Sequence, residues 1–393
     1  MSESVFRREK ESGASPAAPS TGLVERHLSG ALGDNVKSDT EIDLEDDHAP
    51  SHNRLVERMQ GYLSSLGLSQ FSSGVALGYL QSRLQEEGGP ARFRHVISFF
   101  LARLNGERPS TSEDAVTWQK GCPNLFPTLT ATPVWKEDVF NNVRNAEMAS
   151  KLHSCISILE KEHAAILAEF HKMRDSPTAF QPYRSPPSAE SANETDDLGQ
   201  KATSTGDWNV AYLYLHGLDF SENMALCPRT AHILHNVLPR HYSHAFFSVL
   251  SPGAHVTPHY GPTNKKLRLH LPLIVPPEGK AWLRVANDVV VLERGKVVMF
   301  DDSHEHEAAN DHLTHPRVVL VMDIWHPDLS DEEVKFLSFV NKGQVLAAKK
   351  LAAAAMTQGT ECDDNFLSVI EKSRQHPVKL SGADVTQFDV RDD

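Results

Sequence analysis

Three short stretches gather the side chains able to hold a metal or grip an anion. HVTPHYGPTNKKLRLHLPL, residues 255–273, carries His259, Arg268 and His270. KVVMFDDSHEHE, residues 296–307, carries a run of acids and ends beside His306. RVVLVMDIWHP, residues 317–327, opens on Arg317. More than half of the 21 histidines fall between His232 and His326. Neutral imidazoles ligate transition metals, and guanidinium groups bind carboxylates through charge-assisted hydrogen bonds. The chemistry on offer is therefore a metal or cofactor site with an anion clamp.

Strand alternation sorts these residues. Successive side chains of a strand face opposite ways. Leu267, Leu269, Leu271 and Leu273 thus share one face, and Arg268 and His270 share the other. The second face either lines a concave site or meets solvent, and the strand alone leaves both open. Arg317, Val319, Val321 and Asp323 likewise share a face. A guanidinium facing a barrel interior needs an anion; a strand-end arginine reaching solvent is the other reading. His259 and His306 come from different segments. The usual non-haem iron triad adds a carboxylate two residues after the first histidine, but Gly261 stands there. By spacing alone, a structural histidine pair is the commoner reading.

The elements that must position these groups can be read from pattern. Strand-like runs begin at Trp208 with WNVAYLYL and continue through RHYSHAFFSVLS, AWLRVA, DVVVL and KVVMF, separated by Gly, Pro, Asn and Asp. Many short strands without intervening helices argue for an antiparallel sandwich or jelly roll. Residues 52–106 show helical spacing, as in Leu55, Met59, Tyr62 and Leu63, and again in Ile97, Phe100, Leu101 and Leu104. This unit either docks a partner or packs on the main domain. Residues 134–173 read as one long helix or two shorter ones covering a sheet. Residues 176–207 read as a Pro/Ser/Asp-rich linker or loop. After Pro327 the pattern turns helical, with Ser330 and Glu333 spaced as a capping box, and a short helix is expected near Phe366–Lys372.

Composition bounds the rest. A net charge of −13 argues against general nucleic-acid binding. Cys122, Cys155, Cys227 and Cys362 are far apart and read as reduced thiols. The first 50 residues are Ser, Ala, Pro and charge, with no apolar signal region, and read as a disordered tail. No run is apolar enough to span a membrane. A cytoplasmic location is expected. The division read from these shifts is 1–50 tail, 51–108 helical, 109–205 helical support and linker, 206–330 β-domain, and 331–393 helical tail.

Taken together, HVTPHYGPTNKKLRLHLPL, GKVVMFDDSHEHE and RVVLVMDIWHPDL resemble the aspartyl/asparaginyl β-hydroxylase family, as does GDWNVAYLY at 206–214. The resemblance covers roughly residues 206–330. It implies a double-stranded β-helix (cupin-like jelly roll) with flanking helices, here carrying an N-terminal helical extension and a C-terminal helical tail. It implies an iron(II)- and 2-oxoglutarate-dependent dioxygenase that uses O2. Members can bind iron through two histidines with a glycine at the acid position, which Gly261 matches. By position, His259 and His306 resemble the iron ligands. Ser248 and Arg317 resemble the grip on the distal carboxylate of 2-oxoglutarate. Arg268 and His270 resemble residues around its other end, and Trp208 an aromatic lining its pocket. Asp301, Asp302, Glu305 and Glu307 are candidates for supporting roles or for loop capping. Tyr260, Lys265, Lys266 and His304 are expected near the mouth. Three readings of function follow: hydroxylation of aspartyl or asparaginyl residues in a peptide or protein, hydroxylation of a small molecule or lipid acyl chain, or a catalytically silent binding jelly roll. The intact ligand set counts against the last.

Overall fold

A computed structural model describes residues 52–106, 117–136, 145–187, 193–216, 218–358 and 366–380. The segment 1–50, read as a tail, lies outside the described residues, as does the end of the chain from 381. Among the described residues four helices come first: α1 (His52–Ser65), α2 (Gln70–Leu84), α3 (Gly89–Arg92) and α4 (Arg94–Leu104). After β1 (Val134–Trp135) follow α5 (Ala146–Lys161) and α6 (His163–Arg174). Then come β2 (Gln181–Pro182), β3 (Thr195–Asp196), β4 (Gly199–Gln200), β5 (Thr203–Thr205) and β6 (Trp208–Leu215). The helices α7 (Ser221–Leu226) and α8 (Pro228–Asn236) precede the main run of strands. That run is β7 (His241–Leu250), β8 (His255–His259), β9 (Lys266–Ile274), β10 (Ala281–Val285), β11 (Asp288–Val291), β12 (Val298–Phe300), β13 (His306–Asn310) and β14 (Arg317–Trp325). Two C-terminal helices close the description, α9 (Asp331–Gln358) and α10 (Phe366–Arg374).

The strands form a double-stranded β-helix. The major sheet has seven strands in the order β1-β12-β9-β14-β7-β6-β2, and the minor sheet has five in the order β11-β10-β13-β8-β5. Every ladder between named strands is antiparallel. The sheets draw in more chain than the 206–330 read from the sequence. Val134–Trp135, expected to open a helix, instead pairs with Phe300 and Met299. A β-branched and an aromatic residue directly after Pro133 suit an edge strand better than a helical turn. The linker reading of 176–207 is also corrected: β2 extends the major sheet through Gln181↔Val210 and β5 extends the minor one.

The alternation read in β9 and β14 sets the layers. Leu267, Leu269, Leu271 and Leu273 join Val318, Leu320, Met322 and Ile324 on the outer face of the major sheet. There they pack under α5, α6 and α8, through side chains such as Leu152, Leu159, Phe170 and Ile233. The inner face turns Val210, Tyr212, Phe246, Leu250, Val319 and Val321 toward Val256, Leu283 and Ala308 of the minor sheet. The cavity described below opens at one end of this inner layer.

The N-terminal helices share a third core with the C-terminal helix. Met59, Leu80, Phe93 and Phe100 bury against Phe336, Leu337 and Val340 of α9 and against Trp325. Ser330 and Glu333 form the capping box: Glu333 N donates to Ser330 Oγ at 3.0 Å and Ser330 N to Glu333 Oε2 at 2.9 Å. Glu333 Oε1 also accepts from His95 N at 2.8 Å and Val96 N at 3.1 Å, capping α4 from another part of the chain. Among the described residues no helix is long and apolar enough to cross a membrane.

Candidate active site

His259 ends β8 and His306 begins β13, and the register places them directly opposite each other. Opposed residues of an antiparallel pair bring their side chains together, and the two imidazole centroids lie 4.1 Å apart. A β-bulge follows His306 in this ladder, a device that re-aims a strand next to a site. Each ring is held by its own chain. His259 Nδ1 donates to Thr257 O at 2.8 Å, and His306 Nδ1 to His304 O at 2.9 Å. A carbonyl can only accept, so Nδ1 carries the proton in both rings and each Nε2 keeps its lone pair. Burial lowers the pKa of both, of His306 well below the ordinary 6.5, so both are neutral at pH 7. Two neutral, tautomer-locked imidazoles side by side are a donor set for a divalent transition metal.

Gly261 leaves no room for a third ligand of its own. A Cβ there would lie 2.6 Å from Asp302 Cγ and 2.9 Å from Asp302 O. Asp302 is fully buried. Its Oδ2 takes Lys266 Nζ at 2.6 Å, and its Oδ1, beside Gly261, has no hydrogen-bond partner among the described residues. A buried carboxylate oxygen without a donor is costly, and its placement next to the histidine pair fits a metal-bound water there.

The residues read as an anion clamp, Arg317, Ser248 and His270, are buried and are not among those that line the cavity. Arg317 is 2 % exposed and has no acidic partner among the described residues; its nearest polar contact is His270 Nδ1 at 3.5 Å. Burial alone pulls its pKa down to about 10, so the guanidinium remains charged at pH 7. Ser248 faces the same inner layer one strand away, where its Oγ accepts from Trp208 Nε1 at 3.0 Å. Trp208 is held flat by Tyr183, stacked at 3.8 Å. Burial, with Arg317 and Arg268 nearby, pushes His270 well below 6.5, so it adds no charge. A buried guanidinium, a hydroxyl and an indole in one layer suit a carboxylate from a ligand. The residues present therefore fit both a two-histidine metal and a keto acid with a distal carboxylate.

Arg268 is differently placed from Arg317. Its Nε donates to Asp323 Oδ1 at 2.8 Å, its Nη2 to Asp323 Oδ2 at 2.9 Å, and its Nη1 lies 3.2 Å from Asp302 Oδ2. Lys266 bridges the same two acids, with Asp323 Oδ2 at 3.1 Å. His244 Nδ1 donates to Asp323 Oδ2 at 2.8 Å. Burial opposes every charge here. Even so, Arg268, Lys266 and His244 hold Asp323 well below the usual carboxylate range, and Asp323 and Asp302 raise Arg268. The network positions Arg268 and Lys266 beside the histidines with their charges already balanced.

Of the residues expected near the mouth, Lys265 and Lys266 are buried, at 6 % and 2 % exposed, and Lys266 and Tyr260 line the cavity. Tyr260 and His304 are buried too; Tyr260 Oη donates to Glu305 Oε2 at 2.9 Å. Glu305 and Glu307 both pair with Arg284, and Glu307 also with His255. Asp301 accepts from Ser303 N at 3.0 Å, and burial raises its pKa to about 8. Of the four acids only Asp302 lines the cavity.

The cavity spans about 840 Å³, its open mouth included. Its walls include residues with no signal in the three blocks: Tyr183, Tyr242 and Phe246 from the β-domain, and Asn341, Gln344 and Val345 from α9. Tyr242 and Phe246 could have been found by alternation on β7. Nothing in α9 marks its residues as site-lining, because their helical spacing reads equally well as packing.

Comparison with known proteins agrees with this geometry. The family model for aspartyl/asparaginyl beta-hydroxylase matches residues 160–327. The human aspartyl/asparaginyl beta-hydroxylase is 35% identical over 147 residues, 37% of this chain and 19% of that protein. Human aspartate beta-hydroxylase domain-containing protein 2 is 31% identical over 228 residues, 56% of this chain and 54% of that protein. The ornithine lipid ester-linked acyl 2-hydroxylase of Rhizobium tropici is 35% identical over 170 residues, 43% of this chain and 56% of that protein. The chain spans little more than half the length of the latter two and a fifth of the first. Residues 160–327, which hold nearly all of the three sequence blocks, are thus similar to the aspartyl/asparaginyl beta-hydroxylase family, and the first two blocks line the cavity.

Proposed function

We propose that the protein is an iron(II)- and 2-oxoglutarate-dependent oxygenase that hydroxylates a substrate C–H bond. The observation that carries this is the pairing of two neutral, tautomer-locked histidines with a buried guanidinium that has no acid of its own among the described residues. His259 and His306 would hold the metal through Nε2. Arg317 and Ser248 would bind the distal carboxylate of 2-oxoglutarate, with Trp208 packed along its chain and His270 beside it. When bound, iron(II) with 2-oxoglutarate and O2 supplies the oxidation of an unactivated C–H bond, with succinate and carbon dioxide as co-products.

The chain's own contribution is orientation and exclusion of water. Fixing the far carboxylate leaves the keto-acid end at the histidine pair. Asp302 Oδ1 would accept from a water at the metal, and Lys266 and Arg268 hold that carboxylate in place. For the substrate, Lys266, Arg268 and His244 form a polar wall suited to a carboxyl or amide group. An aspartyl or asparaginyl side chain presents such a group, and so does a small molecule bearing the same function.

The test is turnover by the purified full-length chain supplied with iron(II), 2-oxoglutarate and O2. Succinate should form, and a substrate found in a panel of peptides, metabolites and lipids should gain the mass of one oxygen atom. A folded protein that neither binds 2-oxoglutarate nor forms succinate would sink the proposal.

A further inference from the structure

Residues after 327 lie outside the family match, yet they complete the cavity. Asn341, Gln344 and Val345 of α9 and Phe366 of α10 line it together with His259 and His306. Two bonds tie α9 to the β-domain: Lys265 Nζ donates to Asn341 Oδ1 at 3.1 Å, and Asn341 Nδ2 to Tyr242 Oη at 3.2 Å.

The helix is held from behind as well. Glu333, Phe336, Leu337 and Val340 lie buried at helical spacing against the N-terminal helices. Phe336 meets Phe93 edge-on at 6.4 Å, and a Cβ at Gly343 would lie 2.9 Å from Leu68 Cγ. The helix is thus clamped between the mouth of the β-domain and the N-terminal helices. The second helix is pinned to the major sheet, where Gln181 Nε2 donates to Ile370 O at 3.2 Å. Just after it, Val378 N donates to Phe180 O at 2.8 Å.

We infer that α9 and α10 are the fixed outer wall of the active-site cavity, and that this wall confines the substrate to a compact molecule rather than a polypeptide strand. A peptide bound in the cavity would have to leave it on a side that α9 and α10 do not line. A small molecule need only fit among the side chains that line the cavity. Its body would meet the rings of Tyr242, Phe246 and Phe366, and a polar end the amides of Asn341 and Gln344. The inference takes its reaction from the oxygenase proposal and its geometry from the helices alone.

Thiol labelling tests the wall without metal, cosubstrate or turnover. Cys122, Cys155 and Cys227 are buried, so the full-length chain with Cys362→Ser offers a low background. His216→Cys puts a reporter in the cavity lining. Leu313→Cys, at a residue 85 % exposed, is the control. N-ethylmaleimide and a maleimide carried on a short peptide are compared at both positions. The peptide reagent should be slower at 216 than N-ethylmaleimide by on the order of tenfold or more after normalisation to 313, because it must wait for the wall to open. Equal normalised rates would overturn the inference, since a peptide would then enter freely. No reaction with either reagent would overturn it too, since the helices would then seal the cavity against small molecules. His244→Cys, on the neighbouring strand, repeats the measurement should the first variant fold poorly. Loss of succinate formation in a separate assay would strike the oxygenase proposal and leave the labelling result intact.

Discussion

Arg317 carries a full charge into the β-domain with no acid beside it among the described residues. Such a group destabilises the ligand-free protein and stabilises the ligand-bound one. Arg317→Met should therefore hold or raise the melting temperature of the ligand-free protein and weaken 2-oxoglutarate by about a hundredfold or more. A 2-oxoglutarate titration followed by thermal shift reads both, and unchanged affinity would remove Arg317 from the clamp. Gly261 is the second residue whose identity is dictated by contact. Gly261→Ala would drive its Cβ into Asp302 and loosen the Lys266 pair behind it. A loss of roughly 1–3 kcal/mol in denaturant unfolding is expected, the usual cost of overpacking. An unchanged midpoint would mean that Asp302 yields without cost. Arg268 shows the converse case: with Asp323 and Asp302 already beside it, it is a positioned donor rather than an unsatisfied cation.

At the scale of elements, Glu333 links two helices by four bonds. It closes its own capping box with Ser330 and caps α4 through His95 N and Val96 N. Burial raises its pKa, in spite of the backbone donors that favour its charge. Glu333→Ala strips these donors of their acceptor and should cost on the order of 1–3 kcal/mol. Hydrogen exchange should then rise at the start of both α4 and α9. If only α9 responded, the coupling of the N-terminal helices to the wall would be weaker than their shared core implies. Glu169 plays a similar part in α6, accepting from Arg229 N at 2.7 Å and Thr230 N at 2.8 Å to hold α8 on the sheet.

For the whole molecule, buried histidines set the response to acid. Burial lowers His95, His241 and His326 from the ordinary 6.5 to about 4, and His216 to about 3. In the unfolded chain each would titrate near 6.5. Between about pH 6.5 and 4 the unfolded state therefore binds more protons than the folded one, and stability falls as pH falls. The urea midpoint should be lower at pH 5 than at pH 7. A flat profile across that window would mean that these imidazoles take up protons in the folded state. Asp323, held low by Arg268, Lys266 and His244, adds a further loss only below the usual carboxylate range.

Local pattern alone carried a large part of this protein. Alternation in LRLHLPL and RVVLVMDIW sorted the outer leucines from Arg268, His270, Arg317 and Asp323, because strand period is set by backbone geometry and needs no partner. The Ser330–Glu333 spacing announced its capping box for the same reason. His259, Gly261 and His306 were legible as a candidate metal pair only through the resemblance of the surrounding blocks, since their spacing by itself leaned the other way. Tertiary structure decided the rest. It buried Lys265 and Lys266, and Asp323 of β14 and Asp302 of the β12–β13 loop arrive to match Lys266. It placed the two histidines opposite each other through the β8–β13 register. It also turned α9 into a cavity wall, a role that depends on closure of the two sheets and on the N-terminal helices behind it. No periodicity within residues 331–358 contains that information, because a buried stripe looks the same whether it faces a core or a cavity.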